Sequence, residues 1–172
     1  MRNELKNWVA TALAGSLVAC GGSSDDAPSA KPQLFATAGD ATVYRGIWRS
    51  DCGSVLVGTT LQGAKIEFDV TSAAGNVANG NLTTRSYFSP TSCTDGAAPL
   101  STSMVAVTLT IDAAAVSVDG DYTGQADKVT LSSPGSGPTT SYFGFVSAKD
   151  QFYISSSPSF STSRLMYTKS VP

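Results

Sequence analysis

Met104-Val105-Ala106-Val107-Thr108-Leu109-Thr110-Ile111 decides the fold class. Val105, Val107, Leu109 and Ile111 alternate with Ala106, Thr108 and Thr110, the period of a strand buried on one face. The same period runs outward from it in both directions. Lys65 to Val70 sets Ile66, Phe68 and Val70 against Lys65, Glu67 and Asp69. Val43–Arg49, Gly53–Thr60, Asn81–Phe88, Val116–Val118, Val129–Leu131, Tyr142–Ser147, Gln151–Ser156 and Arg164–Lys169 are further strand candidates. Turn residues separate them: Ala74-Gly75-Asn76, Asp119-Gly120-Asp121 and Ala148-Lys149-Asp150. Pro134-Gly135-Ser136-Gly137-Pro138 is expected to exclude regular structure altogether. Ala113-Ala114-Ala115 has the composition of one helical turn, but its neighbours are β-branched. The pattern predicts an all-β body of about eight strands, a small antiparallel up-and-down barrel or a barrel-like sandwich.

Composition narrows the function. The chain has 172 residues, enough for one domain, with 11 Lys and Arg, 13 Asp and Glu, and a net charge of −2. An acidic chain without a clustered basic face argues against nucleic acid. It has no His, which removes Ser-His-Asp and Cys-His catalysis and His-ligated metal. Charged residues make up 14% of the chain, well under the usual ~25%, and small polar residues take their place.

Arg2 and Lys6 precede an apolar run from Trp8 to Ala19. A basic start and a run of this length fit a secretory signal peptide, residues 1–19. A bilayer span needs ~20 apolar residues. The run ends in Leu17-Val18-Ala19-Cys20, which resembles the lipobox of bacterial lipoproteins. The resemblance implies cleavage before Cys20 and acylation of its sulfur and new amine, so the membrane becomes a partner through a lipid anchor. Three acyl chains exceed the two signals that stable anchoring needs. Gly21, where the family's inner-membrane retention signal has Asp, implies the outer membrane, with the body facing the periplasm. Loss of residues 1–19 takes Arg2, Lys6 and Glu4 away and moves the net charge from −2 to −3.

Residues 20–41 read as lipidated Cys and flexible tether, small, polar and broken by Pro28 and Pro32. Twenty such residues reach about 25 Å. Leu34 and Phe35 are the first that could dock on the body, which is expected over 42–172. Within it Cys52 and Cys93 make an even pair in an oxidising compartment, which predicts a disulfide. The bridge would pin the 89–100 loop to the end of the first strand. Two Cys without His are too few for a metal site, and no Cys-x-x-Cys supports a redox pair.

Gly46-Ile47-Trp48 on the first strand, with the up-and-down rhythm, resembles small lipocalin-like barrels. That likeness implies that Trp48 closes one barrel end under a basic side chain from the last strand, Arg164 or, better placed, Lys169. The order tether, Gly-x-Trp, two Cys some forty residues apart and Asp127-Lys128-Val129 also resembles uncharacterised lipoproteins of Gram-negative bacteria; that likeness carries no activity. Trp48 can equally be a plain core aromatic.

No reaction or cofactor is legible. Gly-x-Ser-x-Gly, Ser-x-x-Lys, phosphate loops and EF-hand spacing are all missing from the sequence. Asp112, Asp119, Asp121 and Asp127 read as turn aspartates; a cleft joining two of them to an Arg would point to chemistry. Trp48, Leu109, Phe143, Phe145, Phe152 and Tyr167 are the candidate lining of a cavity for a small apolar ligand, or simply core. Phe160, in a Ser/Pro/Thr loop, is expected near a mouth or contact surface. The sequence therefore predicts a non-enzymatic envelope protein. Either it binds an apolar ligand in the barrel, or it contacts another envelope component through its surface, loops or an open edge strand.

Overall fold

The computed structural model describes residues 30–57, 59–94, 96–146, 149–161 and 166–170. The expected signal peptide, Cys20, the tether up to residue 29, and Arg164 lie outside them. Twelve strands are present among the described residues: β1 (Gln33–Leu34), β2 (Gly46–Ser50), β3 (Gly53–Val57), β4 (Thr60–Ala74), β5 (Val77–Tyr87), β6 (Ser101–Ser117), β7 (Asp119–Gly120), β8 (Thr123–Ser133), β9 (Ser136–Phe145), β10 (Gln151–Ser155), β11 (Ser159–Phe160) and β12 (Met166–Ser170). Two 3-10 turns, Ala41–Tyr44 and Pro90–Ser92, are the helical elements among the described residues.

Eight strands close an antiparallel barrel. In chain order β2, β4, β5, β6, β8, β9, β10 and β12 each pair with the next, and β12 returns to β2. Closure removes the two free edges that an open sheet of these strands would carry. β2 and β3 are one strand with a break. Arg49 pairs with Glu67, yet Gly53 pairs with Ala64, so one extra residue is accommodated around Asp51.

The alternation read from the sequence sets the inside. Phe68 and Val70 of β4, Val107, Leu109 and Ile111 of β6, Val129 of β8, Phe143 and Phe145 of β9, Phe152 of β10 and Tyr167 of β12 are buried together. One end is closed by the 3-10 turn, which buries Ala41 and Tyr44. Asp40 caps that turn: its Oδ1 accepts from the Thr42 amide at 2.9 Å and the Thr42 hydroxyl at 2.6 Å.

One expectation is corrected. Pro134 to Pro138 does not interrupt the sheet; Ser133 pairs with Ser136 across a Pro134-Gly135 turn. Gly135 has φ of 80°, the second central position of a type II turn after Pro. The register slips between Leu131 and Ser133, and that irregularity admits Pro138 inside β9. Ala113-Ala114-Ala115 follows its β-branched neighbours into the 17-residue β6, at register shifts, with Ala115 at φ 59°. Leu34 and Phe35 dock on the body, as expected: β1 pairs in parallel with β8 at Gln33–Thr123 and Leu34–Gly124, and Phe35 bridges Phe145.

That docked segment builds a second, smaller core outside the barrel wall. Leu34, Tyr122, Ala126 and Phe160 are buried there, against Val118, Tyr142 and Tyr153. Phe160 is thus buried, not at a mouth, because β11 pairs in parallel with β7 and turns its ring under Tyr122.

Candidate functional site

The six expected cavity residues do converge, and they fill the space they surround. Trp48 and Phe152 rings lie 4.8 Å apart, Phe143 and Phe152 stack at 5.3 Å, and Phe152 and Tyr167 stack at 5.1 Å. Phe145 meets Trp48 at 5.8 Å, and Tyr44, which the sequence did not single out, meets Phe145 at 5.1 Å. Leu109 is fully buried beside them. The free volume between Phe68, Leu82, Val107, Leu131, Phe143, Ile154 and Tyr167 is about 30 Å³. One water needs roughly 10–15 Å³ and a ligand pocket about 300 Å³. The six side chains pack as part of one buried, mainly aromatic cluster. Burial pushes the Tyr167 hydroxyl up to about 12.

At the closed end Lys169 pairs with Trp48 across β12 and β2, and its Nζ lies 5.2 Å from the indole centroid. This is the cation over tryptophan that the lipocalin-like resemblance implied. The Trp48 Nε1–H donates to the Tyr44 carbonyl at 2.6 Å.

Asp127 has a role that sequence reasoning missed. Its carboxylate is fully buried and accepts from the Thr37 amide (3.0 and 3.2 Å to its two oxygens), the Thr37 hydroxyl (2.7 Å) and the Tyr44 hydroxyl (3.0 Å). It ties the segment before the barrel to the barrel's closed end. Burial, then the Asp127 charge and its hydrogen bond, hold the Tyr44 hydroxyl well above its ordinary range. Asp112, Asp119 and Asp121 are at the surface, so the four aspartates are not brought together. Asp112 accepts from the Thr130 hydroxyl at 2.6 Å. Among the described residues no three Cys, Asp or Glu side chains gather as a metal cluster.

Cys52 and Cys93 form a disulfide with Cα atoms 5.9 Å apart. It holds the 89–100 loop against the β2–β3 break, as expected from the sequence. The loop crosses β4 at Gly63, where a Cβ would stand 2.5 Å from the Ser89 carbonyl oxygen and 2.8 Å from the Cys93 sulfur. Only glycine leaves room for that crossing.

Beneath the loop lies a groove of about 580 Å³. Arg49, Lys65, Arg85, Glu67 and Asp51 supply its charge, and Tyr87, Ala97 and Pro99 part of its apolar wall. β2, β4 and β5 place the charges by period two: Arg49 faces Glu67, and Lys65 faces Arg85, on one side of the sheet. The Glu67 carboxylate takes Arg49 Nε at 2.8 Å and has Arg85 Nη2 at 3.6 Å. Arg49 Nη1 donates to the Ser170 hydroxyl at 2.7 Å. The Arg49 hydrogen bond is the main cause holding the Glu67 carboxyl below its ordinary range.

The remaining feature is an edge. β8 leaves β6 after the pair Thr108–Ser132, while β5 pairs with β6 down to Ser101. From Ser101 to Val107, β6 has a strand partner on one side only among the described residues. Residues 101–106 are exposed, Met104 at 68% and Val105 at 46%.

No protein-family model, curated protein or solved structure matches this chain.

Proposed function

We propose that this chain is a lipid-anchored protein of the cell envelope, held through Cys20 in the outer membrane and facing the periplasm, whose body acts by contact and not by catalysis. The contact is strand addition: an extended, uncharged segment of another envelope component lies along β6 from Ser101 to Val107. The unpaired edge is the observation that carries this reading. In an antiparallel strand both backbone groups of every second residue point to the same side. On the open side of β6 those groups have no strand partner among the described residues. Soluble proteins usually guard such edges with Lys, Pro or a very short strand. Here Ser-Thr-Ser-Met-Val-Ala-Val contains no charge and no Pro. Main-chain bonds would supply affinity and the exposed Met104 and Val105 would supply selectivity. An uncharged partner strand follows, since a charge laid beside these residues would find no counter-charge in the strand. A small apolar ligand inside the barrel is the second reading; the close ring contacts among Trp48, Phe143, Phe145, Phe152 and Tyr167 favour surface contact over it.

In-cell photocrosslinking tests the reading. A crosslinker at Ser103 or Val105 should join the full-length lipoprotein to a single envelope component, through an extended segment identified by mass spectrometry. Met104→Lys, at an exposed position, should abolish the product. Crosslinking no stronger than from the exposed Thr71, or indifferent to Met104→Lys, would remove strand addition from the account.

A further inference from the structure

The groove under the disulfide-held loop adjoins the start of the β6 edge, since Arg85 pairs with Thr102, but its chemistry is different. We propose that it is a binding site for a small organic oxyanion, a carboxylate or phosphate carried on a compact apolar body, with Arg85 as the anion anchor and Arg49 and Lys65 as flanking charges.

Three observations carry the assignment. The volume, about 580 Å³, falls in the range of small-molecule sites, roughly 300–1,000 Å³. Cations gather here against the trend of the molecule: three of the 11 Lys and Arg of an acidic chain line this one groove, outnumbering its two carboxylates, Asp51 and Glu67. Finally, the hydrogen-bonding capacity of the two guanidinia is unequally spent. Arg49 donates through Nε to Glu67 and through Nη1 to Ser170. Arg85 approaches Glu67 only at 3.6 Å, an ion pair too long to count as a hydrogen bond. Its planar fork is less committed to Glu67 than that of Arg49 and has donors to offer a carboxylate or phosphate. Glu67 holds the two guanidinia on either side of one carboxylate, which sets the fork of Arg85 in place before a ligand arrives.

The loop matters to the same site. Cys93, Thr94, Gly96, Ala97 and Pro99 form one wall, and the bridge to Cys52 fixes it over Arg85 and Tyr87. Apolar surface from Tyr87, Ala97 and Pro99 beside the cations favours an anion with a small organic part over a bare inorganic ion.

The test is a titration of the full-length, disulfide-intact protein with phenyl phosphate, benzoate, inorganic phosphate and uncharged benzamide, followed by NMR of amide and arginine Nε–H signals. The site predicts saturable shifts at Arg85, Ala97 and Thr168 with phenyl phosphate or benzoate. It predicts weaker binding of inorganic phosphate and none of benzamide. Which aromatic anion binds more tightly distinguishes a phosphate from a carboxylate as the natural group. Arg85→Gln should weaken binding about ten- to a hundredfold, the loss of a charge-assisted pair, and Arg85→Lys should restore only part of it. Lys149→Gln, an exposed cation outside the groove, should leave affinity unchanged. Unshifted spectra with both aromatic anions would overturn the site. So would equal binding of benzamide, or binding indifferent to Arg85→Gln in a variant whose spectrum shows the native fold.

Discussion

Replacing Asp127 by Ala is the most demanding test of how this body is held together. Its side chain joins three donors from two segments: the Thr37 amide and hydroxyl from the stretch before the barrel, and the Tyr44 hydroxyl from the turn that closes it. Thr37 is 5% exposed and Tyr44 fully buried, so water cannot easily replace the lost acceptor. A buried donor left without a partner costs about 1–3 kcal/mol. With partial rescue at Thr37, the three together predict a loss of roughly 3–6 kcal/mol, against a total of about 5–15 kcal/mol for a domain of this kind. For a body of this size each kcal/mol lowers Tm by about 4 °C, so the midpoint should fall by roughly 12–24 °C. Urea unfolding at neutral pH, with Asp119→Ala as an exposed control, measures it. The variant should also become sensitive to protease between residues 33 and 41, because the segment loses its inner anchor before β2 melts. A loss under about 1 kcal/mol, or a variant equal to the Asp119 control, would refute the reasoning.

Three further outcomes follow from the same contacts. Cys52→Ser with Cys93→Ser opens a loop spanning 41 residues, worth about 4 kcal/mol by loop entropy; the urea midpoint should fall accordingly, and an unchanged midpoint would contradict it. Gly63→Ala should cost about 1–3 kcal/mol, since the added methyl meets the Ser89 carbonyl and the Cys93 sulfur; the disulfide should then be reduced faster by dithiothreitol than in the parent. Stability should decline as pH rises from about 10 towards 12. Over that window the unfolded chain releases tyrosine protons, while Tyr44 and Tyr167, with raised folded values, keep theirs. Stability measured at pH 9 and pH 11 should therefore differ, and a flat profile would show that neither hydroxyl is sealed from solvent.

The sequence carried the barrel because period two carries it. Phe68, Val107, Leu109, Phe143 and Phe152 all point inward from stretches whose alternation is visible by eye. The disulfide was legible for a different reason, the parity of Cys in an oxidising compartment. Other features resisted for physical reasons. Pro138 breaks the local rule for strands, and only the register slip near Leu131 makes it tolerable. Asp127 looks like a turn aspartate until Thr37, 90 residues away in sequence, is seen to donate to it. Leu34 and Phe160 have no strong periodicity around them; two-residue strands, β1 and β11, are enough to bury both. The groove's cations are three side chains on three strands, and nothing local in the sequence joins Arg49, Lys65 and Arg85. Outward positions on paired strands, once the register is assigned, are the signal that would have found them. The aromatic run late in the chain is visible as a concentration in the sequence, and a body this small favours filling over lining; the contacts that pack Phe143, Phe152 and Tyr167 together appear only once the strands are paired.

The open edge of β6 is the feature on which the functional reading rests, and amide hydrogen exchange of the purified full-length protein tests it most directly. The account predicts that, from Ser101 to Val107, amides facing β5 exchange slowly and the alternate ones exchange as fast as exposed loop amides. Leu109, paired on both sides, and Ile111, which pairs with Val129 and donates its amide to the Asn76 carbonyl at 2.8 Å, should be protected throughout. Uniform slow exchange from Ser101 to Ile111 would mean that the edge is already covered within the molecule, and strand addition would have no place to begin.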